Sequence, residues 1–234
     1  MELTLVTIPG DDSRGDRPSP AVAALAKGAT RGMVVIHEIF GRQPEIDRAA
    51  LRFAEAGYAV VAPDLFHEGK LRCIRALMQS MQRAEDTAPL RQASRARDWL
   101  CAQSGIASNK VGLIGFCFGG MFALAAGRNF GAVSCNYGEV SATEAMRGIG
   151  KVIACYGGRD RSMRGRGELL RKRLEPLGVT PEVLFYPDAG HSFLTDGHHP
   201  VASALSWPFM HIAFHEPSAN DAWPKIMDFF ARSL

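Results

Sequence analysis

Four side chains in this sequence have the types and order needed for acyl transfer: Glu38, Cys117, Asp160 and His191. Cys117 lies in Lys110-Val111-Gly112-Leu113-Ile114-Gly115-Phe116-Cys117-Phe118-Gly119-Gly120. The apolar run rich in branched residues reads as a buried strand. A Gly-x-Cys-x-Gly-Gly turn follows it, and Met121 to Ala126 then reads as a helix. This is the context of a nucleophile elbow, with sulfur where the better-known version carries a serine hydroxyl. Such a turn is tight, so its neighbours must be small. Gly115 and Gly119 meet that need, and Gly120 lets the new helix pack closely on the sheet. The helix N-terminus points partial positive charge at the sulfur, favouring a thiolate and later an oxyanion. In the expected chemistry Cys117 attacks an acyl carbon and His191 moves the proton. Asp160 holds the imidazole in the right tautomer and stabilises its cation.

Each residue also has an ordinary explanation. The glycine-rich turn could enclose an inert buried cysteine. Asp160, in Gly157-Gly158-Arg159-Asp160, could cap a turn or pair with an arginine. His191 follows Pro187-Asp188-Ala189-Gly190 and could be a solvated loop histidine, and Glu38 could end an exposed strand. What favours catalysis is the combination: each residue follows an apolar run, and acid and histidine come after the nucleophile.

The elements that must position them alternate. Leu3 to Ile8 is expected as a first strand, Pro9 to Pro20 as a loop or wide hairpin, and Ala21 to Ala26 as an alanine-rich edge strand. Gly32 to His37 and Tyr58 to Ala62 read as strands buried on both faces. Between them Pro44 opens a helix in which Ile46, Ala49, Ala50, Phe53 and Ala54 recur at helical spacing. Residues 71 to 102 are helical but polar, broken near Pro89. After the elbow come a strand at Ala132 to Tyr137, then strand, helix and strand at Lys151 to Tyr156, Gly167 to Leu177 and Pro181 to Tyr186. An amphipathic helix from Asp221 to Leu234 closes the chain. Strands alternating with helices imply right-handed crossovers and an α/β fold. A single doubly wound, mostly parallel sheet flanked by helices is expected, in one domain over residues 1–234. In such a sheet functional residues gather at the carboxyl ends of strands, where all four candidates fall.

Composition narrows the function. The chain has 234 residues, net charge +3, 47% hydrophobic and 22% charged residues, as in an ordinary globular protein. Its basic runs, Arg159 to Arg166 and Arg171 to Arg173, are short and lack interleaved aromatics, so no nucleic acid partner is expected. Five cysteines without Cys-x-x-Cys spacing argue against a disulfide framework or a zinc ribbon. The N-terminus lacks the basic region of a signal peptide, and Val111 to Gly127 is too short and glycine-interrupted to span a membrane. A cytoplasmic protein without a membrane partner is expected, as a monomer or small homo-oligomer. No Gly-x-Gly-x-x-Gly opens a helix and no P-loop appears, so no cofactor is expected. His198, His199, His211 and His215 are irregularly spaced and no Cys or carboxylate completes a set, so no metal site is expected either.

The sequence resembles the dienelactone hydrolases (carboxymethylenebutenolidases) of the α/β-hydrolase fold. The resemblance runs through His37-Glu38-Ile39-Phe40-Gly41, Gly57 to Phe66, the cysteine elbow and Tyr156-Gly157-Gly158-Arg159-Asp160, to Ala189-Gly190-His191-Ser192-Phe193. It implies a Cys117–His191–Asp160 triad acting on a small ester or lactone, with the backbone N–H groups of Phe118 and Ile39 as the oxyanion hole. It also implies that Glu38 meets the resting thiol and helps generate the thiolate when substrate binds.

The sequence departs from the family in two places. The archetypal enzymes hold a substrate carboxylate with arginines, and Thr195 stands where one of them is expected, beside Asp196. Arg72, Arg75 and Arg83 are available for the second. The stretch from Gly197 to Asn220 is longer than the family pattern, and its Ala202 to Phe214 portion is aromatic and nearly uncharged. It reads as a packed loop or, alternatively, as a lid or dimer contact. Alternative functions are a broad carboxylesterase or thioesterase of the same fold, a non-catalytic ligand-binding member, and a thiol redox sensor using Cys117.

Overall fold

The computed structural model describes residues 1–83, 85–197, 204 and 208–234. Eight strands form one sheet in the order β1-β2-β4-β3-β5-β6-β7-β8. They are β1 (Thr4–Ile8), β2 (Ser19–Ala24), β3 (Gly32–Ile36), β4 (Ala59–Pro63), β5 (Val111–Phe116), β6 (Ala132–Asn136), β7 (Lys151–Gly157) and β8 (Glu182–Tyr186). Strand β2 is antiparallel to β1 and to β4, and the remaining pairs are parallel. The α/β architecture and mostly parallel sheet are therefore as expected.

The helices are α1 (Pro44–Glu55), α2 (Lys70–Arg83), α3 (Ala88–Ser104), α4 (Phe118–Ala126), α5 (Arg166–Leu174) and α6 (Glu216–Ser233). Strand side chains alternate between two cores, as the two-residue period of a strand requires. Val34 and Ile36 of β3 join one core with α2 to α5, while Met33 and Val35 join the other with α1 and α6. Both sheet faces are thus covered, which is why β3, β4 and β5 read as unbroken apolar runs.

Three details differ from the sequence reading. The alanine-rich strand β2 is not an edge: β1 covers it, and its small side chains are buried between flanking layers. Helix α4 begins at Phe118, three residues earlier than expected, so Cys117 is its N-cap. Helix α6 begins at Glu216 rather than Asp221, because Pro217 lies in the first turn, where no N–H is needed. Pro224 is tolerated inside α6 because it and Asn220, whose carbonyl loses its partner, both face solvent.

Candidate active site

All four candidate residues follow the carboxyl ends of strands: Glu38 after β3, Cys117 after β5, Asp160 after β7 and His191 after β8. Cys117 has φ 52° and ψ −112°, a conformation that L-residues avoid. Its N–H donates to Asn136 O at 2.9 Å, continuing the β5–β6 ladder past the strand end. The elbow closes this tightly only because its glycines lack Cβ atoms. A Cβ on Gly115 would lie 1.9 Å from Gly119 O, and one on Gly119 would lie 2.5 Å from Ile36 O. The start of α4 therefore rests directly on the end of β3, and Cys117 is only partly buried.

Asp160 and His191 are each 1% exposed, with Asp160 Oδ2 2.5 Å from His191 Nδ1. The turn-capping explanation of Asp160 is also realised, on its other oxygen. Asp160 Oδ1 accepts from Ser162 N–H at 3.0 Å and Ser162 O–H at 2.5 Å, which fixes the carboxylate for the histidine. Burial opposes a charged imidazole. The Cys117 charge and the hydrogen bonds of Asp160 and Cys117 outweigh it, and the His191 pKa is raised. His191 Nδ1 is committed to Asp160, which leaves the buried Nε2 as the nitrogen available to Cys117.

The histidine loop is braced from the far end of the chain. His191 N–H donates to Met210 O at 2.9 Å, Ala213 N–H donates to His191 O at 3.2 Å, and His215 N–H donates to Phe193 O at 3.2 Å. Residues 208–215 of the long aromatic segment therefore pack against the site, as the packed-loop reading expected. Residues 198–203 and 205–207, with His198, His199 and Trp207, lie outside the described residues, as does the Arg83 side chain.

Glu38 is 1% exposed and held by hydroxyls. Thr195 Oγ1 donates to its Oε1 at 3.0 Å, Tyr137 OH lies 3.3 Å from the same oxygen, and Ser192 Oγ lies 3.4 Å from Oε2. Burial first, and the Glu38 charge second, raise the Tyr137 pKa, keeping the phenol protonated as a donor. The Tyr137 ring also packs 5.1 Å from the His191 ring, so one side chain touches both Glu38 and His191. The sequence reading missed Tyr137 and Ser192. Only the position of Tyr137 one residue past β6 could have pointed to it. Thr195, expected as a missing arginine, is instead a ligand of the glutamate.

The candidate oxyanion donors follow from the same geometry. Phe118 N–H lies in the first turn of α4, where no intrahelical acceptor exists. Ile39 N–H lies in the Glu38–Gly41 turn, which closes by a 3.0 Å bond from Gly41 N–H to Glu38 O. Burial pushes the thiols of Cys73 and Cys135 up to about 12 and raises those of Cys155 and Cys101, so none of these competes with Cys117 as nucleophile. Among the described residues no three His, Cys, Asp or Glu side chains group as a metal site, and no helix is long and apolar enough to cross a membrane. Arg72 and Arg75 lie on α2, where Arg72 pairs with Glu68 at 3.7 Å.

Known proteins share this arrangement of the chain. A carboxymethylenebutenolidase from Rhodococcus opacus is 27% identical over 98% of this chain and 92% of its own length. A dienelactone hydrolase-like promiscuous phosphotriesterase from metagenomic libraries superposes with a TM-score of 0.76 at 23% identity, over 100% of this chain and 99% of its own. A Pyrobaculum calidifontis esterase superposes with a TM-score of 0.60 at 17% identity, over 82% of this chain and 78% of its own, sharing the fold. The sequence model of the dienelactone hydrolase family matches residues 20–234, which hold every strand but β1 and the first residue of β2. The chain therefore belongs to the dienelactone hydrolase family, hydrolases of ester and lactone bonds.

Proposed function

We propose that this hydrolase cleaves a small ester or lactone through an acyl-enzyme on Cys117. The observation that carries the reading is the buried Asp160–His191 pair at 2.5 Å, together with a cysteine held at φ 52° at the end of the central strand β5. The Cys117 sulfur forms a bond to the carbonyl carbon, and the carbonyl π electrons move to oxygen. Phe118 and Ile39 N–H groups receive that oxyanion, each contributing about 3 kcal/mol. Collapse breaks the acyl C–O bond, and the leaving oxygen takes a proton from His191 Nε2. Water then attacks the thioester while His191 accepts its proton, and cleavage of the C–S bond returns the thiolate and a carboxylic acid. The Cys117 thiol proton passes to His191 Nε2, forming the imidazolium that later protonates the leaving oxygen, and Glu38, pinned by hydroxyls, assists that transfer.

The substrate is read as less anionic than dienelactone. Thr195 is neutral and already bonded to Glu38, and neighbouring Asp196 disfavours a carboxylate. Steady-state hydrolysis of dienelactone and of a neutral aryl acetate, by wild type and Cys117→Ala, tests both parts. The expected result is preference for the acetate and loss of turnover in the alanine variant. A strong preference for dienelactone would overturn the neutral-substrate reading, and activity independent of Cys117 would overturn the mechanism.

A further inference from the structure

We infer that His37 is a positioning residue that aims the Ile39 N–H of the oxyanion hole, an inference resting on the acyl-transfer reading above. His37 ends the apolar run of β3 and is 0% exposed, so its polar atoms must find partners. Both do. Nδ1 lies 2.8 Å from Glu38 O, and Nε2 accepts the Leu65 N–H at 3.0 Å. Asp64 Oδ1 lies 3.7 Å from Nε2, outside hydrogen-bond reach, and is engaged by Phe66 N–H at 2.8 Å. Because Nε2 accepts, the ring hydrogen is on Nδ1 and is donated to the Glu38 carbonyl.

That carbonyl is the other end of the candidate oxyanion donor. Glu38 C=O and Ile39 N–H belong to one peptide unit, and the described chain has no cis peptide, so the two groups point in opposite directions. Glu38 O is held twice, by His37 Nδ1–H at 2.8 Å and Gly41 N–H at 3.0 Å. Pinning the oxygen towards the buried histidine turns the N–H the other way, away from the core. The Gly41 bond closes the turn but leaves the peptide free to tilt about it, and the imidazole removes that freedom. The ring cannot tilt either, because Leu65 holds its far nitrogen and the Phe66 ring lies edge-on at 4.6 Å. Phe66 in turn packs 5.4 Å from the ring of Phe118, the residue that carries the second donor. One imidazole thus ties the β3 loop, the β4 loop and the start of α4 into a single frame.

The test compares His37→Leu with His37→Asn. Both lose the acceptor for Leu65 N–H, and only asparagine keeps an amide donor where Nδ1–H stood, so their difference isolates the bond to Glu38 O. An oxyanion donor acts in the transition state, so kcat should fall about 10- to 100-fold in the leucine variant with KM little changed. The asparagine variant should stay within several-fold of wild type. Alkylation of Cys117 by iodoacetamide, followed by peptide mass spectrometry, forms no oxyanion and should proceed equally in all three proteins. Equal kcat in the leucine variant and wild type overturns the inference, as does equal loss in both variants or a matching loss of alkylation. None of these outcomes touches the Cys117 mechanism, which the alanine variant tests separately. If neither variant folds, 15N NMR of the wild type decides: an Nδ1-protonated His37 is expected, and an Nε2-protonated one overturns the inference.

Discussion

Replacing Asp160 with asparagine changes one oxygen for an NH2 group and tests the centre of the proposed mechanism. Oδ1 is committed to Ser162, accepting from N–H at 3.0 Å and O–H at 2.5 Å. An asparagine that keeps those bonds must turn its NH2 towards His191 Nδ1, where the carboxylate now lies at 2.5 Å. The imidazole then has to accept at Nδ1, so its hydrogen moves to Nε2, the nitrogen required to take the proton. Loss of one buried, charge-assisted hydrogen bond costs about 2–3 kcal/mol. At about 1.4 kcal/mol per tenfold, that is roughly 30- to 150-fold in rate. The tautomer reversal adds to it, giving an expected fall in kcat/KM of about 10²- to 10⁴-fold. The direction in pH is fixed as well. Asp160 is among the groups raising the His191 pKa, so the variant should titrate its histidine at lower pH than wild type. The assay is kcat/KM for an aryl acetate across pH, with an NMR titration of the His191 ring. An Asp160→Asn enzyme within threefold of wild type, with an unmoved histidine titration, would refute the assignment of both residues.

Two stability predictions rest on other parts of the structure. Gly115→Ala places a methyl 1.9 Å from the Gly119 carbonyl oxygen, backbone against backbone with no flexible side chain to yield. A loss of more than about 3 kcal/mol in urea denaturation is expected, and a variant with wild-type stability and activity would show that the elbow can open. Asp16, 5% exposed, accepts from Arg91 Nε and Nη2 at 2.7 Å each and from Arg95 at 2.5 Å. The Arg91 hydrogen bond lowers its pKa from the ordinary 3.8 against the cost of burial. A carboxyl depressed in the folded state contributes stability above its unfolded pKa and loses it as pH falls through the folded value. Asp16→Asn should therefore cost about 3 kcal/mol near pH 7 and progressively less below about pH 4. A gap that does not change with pH would exclude the ionic contribution.

The sequence revealed the sheet and the triad candidates because the same physics sets both. Strands buried on both faces are largely apolar, so β3, β4 and β5 stand out, and chemistry-bearing residues stand out against them at the strand ends. The elbow was readable because only glycine fits where Gly115 and Gly119 touch backbone. The surroundings of Glu38 were not readable. Tyr137, Ser192 and Thr195 come from two distant loops, and a hydroxyl carries no periodic or charge signature that names its partner. The start of α6 was hidden because Pro217 and Pro224 look like helix breakers until the solvent-facing side of the helix is known. His37 was lost inside an apolar run, its polarity visible only once the Leu65 and Glu38 backbone groups meet it.

Where sequence and local preference part company, the departures gather in one place. Among the described residues, the non-glycine positions with left-handed φ are Cys117 at 52°, Tyr137 at 43°, Ser192 at 58° and His211 at 55°. Each costs about 1–3 kcal/mol and persists only if its surroundings over-determine it. They do so through the sheet. Cys117 N–H bonds to Asn136 O at 2.9 Å and Tyr137 N–H to Cys155 O at 2.7 Å, each extending a parallel ladder one residue beyond its strand. His211 is wedged where Gly190 has no Cβ, a missing atom that would lie 1.9 Å from the His211 carbonyl oxygen. The strained residues are thus the nucleophile candidate, two hydroxyl ligands of Glu38 and the brace of the histidine loop. Bending the backbone at strand ends brings groups from β3, β5, β6 and β8 towards a common point, which straight strands would carry past one another. The ladder bonds and the buried cores supply the free energy that holds this geometry. In the proposed mechanism, a site built in this way would meet its substrate with its acid, base and donors already fixed, leaving little to reorganise when charge develops on the carbonyl oxygen.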